Sequence, residues 1–396
     1  MDRHELTQRA RTAVRGDEAV ALAQRLVRIP TENPPGDTRE AAAVLADWLE
    51  GAGFSCELFE RCAPHTSLIA ERTFADGGRT LVLNGHLDVV PAGSDWSGDP
   101  FSGEIRAGKL YGRGSLDMKG AVAAMAGAAA ALARTDLPLQ GRLVVMAVAD
   151  EEQGGVHGSG AIIDADILDA DAIVIGEPSD RGVVIGHRGT CFLRLRTHGV
   201  AGHASMPSKA ENAVERMLAA LTACGHLELP HSEHPLLGRP SVALGTTING
   251  GTKMNVIPDH CEATIDIRTV PGMNSDEIVA QVENHLRKAG FQIPNQVEVE
   301  RIVASEVAIT APDAEIVTLA AEAQQREFGS PAVLQGMPAT TDGWWFANRA
   351  GLPTVMGLGP GSIERCHIAN ESVDVAELGA YARIYADLAA QFLAAA

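Results

Sequence analysis

Two textures of hydrophobic patterning follow one another along this 396-residue chain. In the first, "DEAVALAQRLVRIPTENPPGDTREAAAVLADWLEGAG" repeats apolar residues at helical spacing on both sides of three prolines, which predicts two helices broken at "IPTENPPGD". Beyond them "TLVLNGH" reads as a strand, "MKGAVAAMAGAAAALART" as a helix, "GRLVVMAVADEE" as a strand, "SGAIIDADIL" as a helix and "DAIVIGEP" as a strand. Short, nearly continuous apolar runs separated by helices predict a mainly parallel sheet covered on both faces.

The texture changes after about residue 187. "CFLRLRTHGV" alternates apolar and polar residues, "AENAVERMLAALTAC" is an amphipathic helix, and "SVALGTTINGG", "CEATIDIRTV" and "QVEVERIVA" read as half-buried strands around the helix "SDEIVAQVENHLRKAG". That pattern predicts an α+β module whose sheet is open on one face. Near residue 310 the first texture returns, with the helix "APDAEIVTLAAEAQQREFG", the buried run "LPTVMGLGPG" and a closing helix from Val375 to Ala395. The simplest architecture is an α/β domain made of residues 1–187 and 307–396, interrupted by an inserted domain at 188–306.

Composition narrows the class. With 45% hydrophobic and 21% charged residues the chain folds as a globular protein. The formal net charge of -19 repels phosphate backbones and anionic lipid surfaces, so neither nucleic acid nor a membrane is expected as a partner. The N-terminus has no apolar core of a secretory signal, and the longest apolar stretch, Ala121 to Ala133, falls short of the roughly 20 residues that span a bilayer. A cytoplasmic location is the expectation. The six cysteines show no CxxC pairing and read as free thiols.

In an open parallel sheet, ligands bind beyond the carboxyl ends of the strands. "TLVLNGHLD" delivers His86 and Asp88 there, "VVMAVADEE" delivers Asp150, Glu151 and Glu152, and "AIVIGE" delivers Glu177. "YGRGSLDMKG" adds Asp117 in a glycine-rich turn at a helix start. Crowded carboxylates repel one another in water-poor surroundings. Arg113 and Lys119 are too few to neutralise so many acids, so a divalent metal is the economical explanation. One imidazole with several carboxylates suits zinc, manganese or cobalt rather than calcium. Asp88 is placed to orient the His86 ring. No GxSxG elbow occurs, which disfavours a serine hydrolase.

The ordered set "GHLDVVPAG", "GRGSLDMKG", "ADEEQGG", "GEPS" and "GHAS" resembles the acetylornithine deacetylase / succinyl-diaminopimelate desuccinylase / glutamate carboxypeptidase family of dinuclear metallohydrolases. The resemblance implies a sheet sandwiched by helices, with the insert acting as lid and dimerisation domain of a homodimer. It implies that His86 and Glu177 hold one metal ion and Glu152 and His367 the other, with Asp117 bridging and Glu151 as general base. It also implies that His203 reaches the neighbouring subunit's site to steady an oxyanion, and that Asn255 and Arg268 contact a substrate carboxylate. Gly359 and Gly361 fall in its substrate loop, and Thr340, Thr341 and Asp342 in a loop of its catalytic domain. Cys366 stands where a small residue is usual in that family, and is either a bystander or an alternative ligand. Trp344 and Trp345 line the pocket or belong to the core; His231 and His234 in "PHSEHP" read as a solvated loop. The activity implied is hydrolysis of an amide next to a carboxylate in a small N-acyl amino acid, with a dipeptidase, a carboxypeptidase or cleavage of another C–N bond as alternatives.

Overall fold

A computed structural model of the chain describes residues 1–229 and 231–395, so Pro230 of "PHSEHP" lies outside the described residues. Three helices open it: α1 (Arg3–Thr12), α2 (Gly16–Val27) and α3 (Arg39–Gly51). Strands β1 (Ser55–Cys62), β2 (His65–Ala75), β3 (Arg79–His86), β4 (Glu104–Arg106) and β5 (Lys109–Tyr111) follow. Then come α4 (Lys119–Ala133), β6 (Gly141–Val148), α5 (Ser159–Asp164), β7 (Ala172–Ile175) and β8 (Val183–His187). The next stretch holds β9 (Gly189–His198), β10 (Gly202–His203), α6 (Ala213–Cys224), β11 (Ser241–Gly250), β12 (Val256–Ile257), β13 (His260–Thr269), α7 (Ser275–Lys288) and β14 (Val297–Ser305). The chain closes with β15 (Ala308–Ile309), α8 (Glu315–Phe328), β16 (Leu334–Met337), β17 (Thr354–Val355), β18 (Ser372–Asp374) and α9 (Val375–Phe392).

Contacts divide the chain into two compact units. The first comprises Met1–Gly186, Ile309–Gln335 and Thr341–Ala396; the second comprises His187–Ala308 and Gly336–Thr340.

The first unit is built on a six-stranded sheet in the order β1-β2-β6-β3-β7-β17. β3 pairs in parallel with β6 and with β7, and β7 in parallel with β17, whereas β1 and β2 add an antiparallel edge. Consecutive residues of a strand point to opposite faces. Thr80 to His86 of β3 are all buried, so both faces of this central strand are covered. Helix α4 is buried around its whole circumference, which its alanines explain: a helix of small apolar residues can sink into a layer of other helices. A Cβ on Gly127 would stand 3.1 Å from Ala19 Cβ, so α2 packs against α4 almost backbone to backbone. Among the described residues no helix is long and apolar enough to cross a membrane.

The second unit holds a four-stranded antiparallel sheet in the order β11-β13-β9-β14. β9 and β13 alternate buried and half-buried residues along their length. Leu193, Leu195, Ala263, Ile265 and Ile267 face one core with Met217 and Ala220 of α6 and Ile278, Val282 and Leu286 of α7. The intervening positions carry cross-strand ion pairs, Arg194 and Arg196 each bridging Glu262 and Glu300 at 2.8–3.3 Å. That is the uncovered face the alternation predicts.

Candidate metal centre

Register alone brings the first site residues together. Asn84 of β3 pairs with Ile175 of β7, and His86 and Glu177 each follow two residues further on. On the other side His86 pairs with Val148, the last residue of β6, and the turn that follows carries Asp150, Glu151 and Glu152. Asp117 comes from the turn before α4, and its peptide bond to Met118 is cis.

His86 Nδ1 donates to the Asp88 backbone carbonyl at 2.8 Å. Once its Nε2 proton is lost to an incoming cation, a ring held this way turns the lone pair of Nε2 outward. That atom lies 3.1 Å from Asp117 Oδ1 and 3.6 Å from Glu177 Oε1. The second oxygen of Asp117, Oδ2, is 3.1 Å from His367 Nε2, which is 3.4 Å from Glu152 Oε2. Two groups result, His86–Asp117–Glu177 and Asp117–Glu152–His367, and in each the ligand atoms lie within 4.8 Å of one another. Glu151 belongs to neither group, although its Oε2 is 3.9 Å from His86 Nε2.

Asp88 departs from the expected role. Its backbone carbonyl, not its carboxylate, takes the His86 proton, since the nearest carboxylate oxygen is 3.8 Å from Nδ1. The fully buried carboxylate instead accepts the backbone N–H groups of Glu151 and Glu152, each at 3.2 Å. It therefore fixes the turn from which both glutamates project. Asn33, from the proline-rich break, donates to Asp88 at 2.9 Å and to Asp150 at 3.2 Å. Sequence reasoning missed Asn33, because nothing local distinguishes an asparagine between two helices.

The electrostatics follow from crowding. Burial pushes Glu177 up to about 8, with the negative charge of Asp117 adding to it. Glu151 is raised too, by burial and by Glu177, Asp342 and Glu152, against the pull of His86. Burial opposes ionisation of Asp117, yet hydrogen bonds from His367 and His86 prevail and hold it well below the usual carboxylate range. Hydrogen bonds to Asp117 and Glu152 lift His367 to about 10. The nearby cations are committed elsewhere: Arg113 pairs with Glu371, and Lys119 Nζ donates to the Ile29 carbonyl at 2.7 Å. A divalent cation between imidazole nitrogens and carboxylate oxygens is what this donor set fits.

The remaining residues named from the sequence divide between the units. Cys366 is buried but belongs to neither ligand group, and burial with the negative charges of Asp117, Glu371 and Glu177 keeps its thiol protonated. Gly359 and Gly361 lie in the first unit with their amides already engaged, by Ser179 Oγ at 3.3 Å and Glu377 at 2.9 Å. Packing accounts for both: a Cβ would meet Gly176 O at 1.9 Å from Gly359 and Leu116 Cδ1 at 2.2 Å from Gly361. Asp342 accepts from Ser159 Oγ at 2.7 Å, and Trp345 Nε1 donates to Gly154 O at 3.1 Å, so this loop buttresses the glutamate turn. Trp344 and Trp345 are buried against each other with ring centroids 3.9 Å apart. Thr341 shares their unit, whereas Thr340 belongs to the second, where it bonds Thr190 Oγ1 and the Arg188 carbonyl.

In the second unit His203 is exposed, and its Nδ1 accepts from Ser205 N and Oγ at 3.2 and 2.7 Å. Its neutral ring then carries the proton on Nε2. Arg268 donates to Asp266 Oδ2 at 3.0 Å and to Thr190 Oγ1 at 3.1 Å, and its Nε lies 2.9 Å from Asp266 Oδ1 as an ion pair. Asn255 is exposed, its carbonyl taking the Ala204 N–H. His234 Nδ1 accepts from Leu236 N and Leu237 N, and His231 Nδ1 bonds Leu229 O, so both serve the loop.

Comparison with known proteins gives one answer. The chain is 32% identical over 379 residues to a succinyl-diaminopimelate desuccinylase 2 of Ruegeria sp. (strain TM1040), covering 93% of each chain. It is 33% identical over 336 residues to a succinyl-diaminopimelate desuccinylase of Paracoccus denitrificans (strain Pd 1222), covering 81% of this chain and 85% of that one. Its fold matches that of a di-peptidase from Saccharomyces cerevisiae with a TM-score of 0.83 at 16% identity, over 100% of this chain and 99% of that one. The model of peptidase family M20/M25/M40 matches residues 82–391, and the chain belongs to that family of metal-dependent amidohydrolases.

Proposed function

We propose that this enzyme works with two divalent cations, zinc in the first place with cobalt or manganese as alternatives, and cleaves the amide bond of a small N-acyl amino acid. One cation would be held by His86 and Glu177, the other by Glu152 and His367, and Asp117 would join them. The observation that carries this reading is the divided aim of Asp117, one oxygen toward His86 and Glu177 and the other toward His367 and Glu152.

Two divalent cations bound there would supply Lewis acidity, making a water molecule more acidic and polarising the acyl carbonyl. Glu151 serves as general base, taking the proton of the attacking water and passing it to the leaving nitrogen. Its exclusion from both ligand groups suits that task, since it leaves the carboxylate free to take a proton. Asp88 and Asn33 set the direction in which Glu151 leaves its turn. His203 of one copy, with its proton on Nε2, donates to the oxyanion developing in the other copy's site. Arg268, preset by Asp266, takes the substrate carboxylate together with Asn255. Gly359 and Gly361 shape their loop rather than donate to substrate, because their amides are engaged.

The domain at 188–306 would close over the site and pair two copies of the chain. Its support is β11, an edge strand of the four-stranded sheet that exposes Val242 and Ile248, beside the exposed Leu218 of α6. The six free cysteines suit a reducing, cytoplasmic setting.

The desuccinylase names of the relatives favour a succinyl group on a diamino acid. The test is a hydrolysis panel of succinyl and acetyl amino acids and dipeptides, run on chelated protein refilled with zinc, cobalt or manganese. Turnover of succinyl substrates is expected to lead. Hydrolysis of dipeptides alone would move the assignment to a peptidase, and no hydrolysis with any metal would overturn it.

A further inference from the structure

β5 and β18 pair antiparallel, Tyr111 opposite Ser372, and the ladder continues as Gly112 N to Glu371 O at 3.0 Å. This pairing carries two distant charged residues into the same buried place. Arg113 is 2% exposed and Glu371 1%. Glu371 Oε1 accepts from Leu116 N at 2.9 Å and from Asp117 N at 3.2 Å, while Oε2 takes Arg113. The same guanidinium donates to the carbonyl of Ile368 at 3.3 Å and of Ala92 at 3.5 Å, with Trp96 beside it at 5.4 Å.

These bonds reach the backbone at or beside two of the three ligands of one proposed cation. Glu371 grips the backbone that presents Asp117, and Arg113 grips the residue after His367. His367 needs such a grip, because its side chain is half exposed and its backbone is left-handed, with φ +62°. The ligands on the other side, His86 and Glu177, are buried at strand exits and positioned by the sheet register. We infer that Arg113 and Glu371 are positioning residues for the Asp117–Glu152–His367 cation, and that disturbing them weakens that ion while leaving the one at His86 and Glu177. The inference rests on the two-cation reading above.

An arginine fork reaching a carboxylate and two carbonyls is not replaced by a lysine, which keeps the charge but not the geometry. The test uses full-length chelated protein titrated with zinc and with cobalt, reading ions bound per chain by equilibrium dialysis and elemental analysis, and folding by circular dichroism. Wild type is expected to bind two ions. Glu371→Leu and Arg113→Lys are expected to weaken one ion at least tenfold and the other less than threefold. Because Glu371→Leu strands a buried guanidinium, the doubly neutral Arg113→Met/Glu371→Gln protein is included; it keeps an acceptor for the two amides and leaves no lone buried charge. It should fold and still show one weakened ion. Two ions bound with unchanged affinity in the folded variants would overturn the inference alone, as would equal loss of both ions. A wild-type chain that binds fewer than two ions would overturn the two-cation reading and the inference with it.

Discussion

Replacing Glu151 with glutamine keeps the shape of the side chain and removes its capacity to take a proton. Nothing else in the centre should move. The bonds that hold its turn run from the backbone N–H groups of Glu151 and Glu152 to Asp88, and neither ligand group includes the substituted carboxylate. No spare base is at hand, because Glu152 and Glu177 belong to the ligand groups and Asp342 is bonded to Ser159. A positioned general base contributes about 10²–10⁴ in rate, or roughly 3–5 kcal/mol at 1.36 kcal/mol per decade. Without a substitute the loss is expected in the upper half of that range, about 10³ or more. Glutamine also removes one of several crowded carboxylates, so Tm should stay level or rise. The assay is steady-state kcat on protein of measured metal content, with a melting curve alongside. A Glu151→Gln protein that keeps its metal and turns over within tenfold of wild type would refute the base assignment, and one that loses metal would refute its exclusion from the ligand set.

Gly359→Ala would drive a methyl to 1.9 Å from Gly176 O, a backbone atom that cannot swing aside, so a loss of about 3 kcal/mol or more is expected by denaturant unfolding; an unchanged midpoint would contradict this packing. Glu327 is largely buried between Arg383 and Arg11, and although burial opposes it, their hydrogen bonds hold its pKa below the ordinary 4.5. A depressed carboxylate stabilises the fold above its unfolded pKa and stops doing so as pH falls through the folded value. The deficit of Glu327→Gln relative to wild type should therefore be full near neutrality and shrink as pH drops below 4.5, as measured by urea midpoints across that range. A deficit independent of pH would mean that shape, not charge, is what Glu327 supplies.

Much of this candidate site was legible in the sequence. His86, Glu151, Glu152 and Glu177 could be found because they directly follow apolar strands, and a parallel sheet gathers its strand exits on one edge. Most helices of both units were likewise visible in their periodicity. The antiparallel pair β1 and β2 was not, since the edge strand β1 is exposed along most of its length and carries no clean alternation. α1 buries only Leu6, Thr7 and Ala10, too little to stand out from a polar N-terminus. The expected helix "SGAIIDADIL" stops at Asp164, and "LPTVMGLGPG" is buried mostly as irregular chain with β17 as its only strand. What sequence could not supply was the supporting shell. Asn33, Arg113 and Glu371 act through partners 55 to 258 positions away, and the choice between the carbonyl and the carboxylate of Asp88 is a matter of tertiary geometry.

The most direct test of the two-cation centre is anomalous diffraction at the zinc edge from crystals of zinc-loaded protein. Two peaks are expected, one touching His86 and Glu177 and the other Glu152 and His367, each in contact with a different oxygen of Asp117. A single peak, or a pair that Asp117 does not share, would contradict the account.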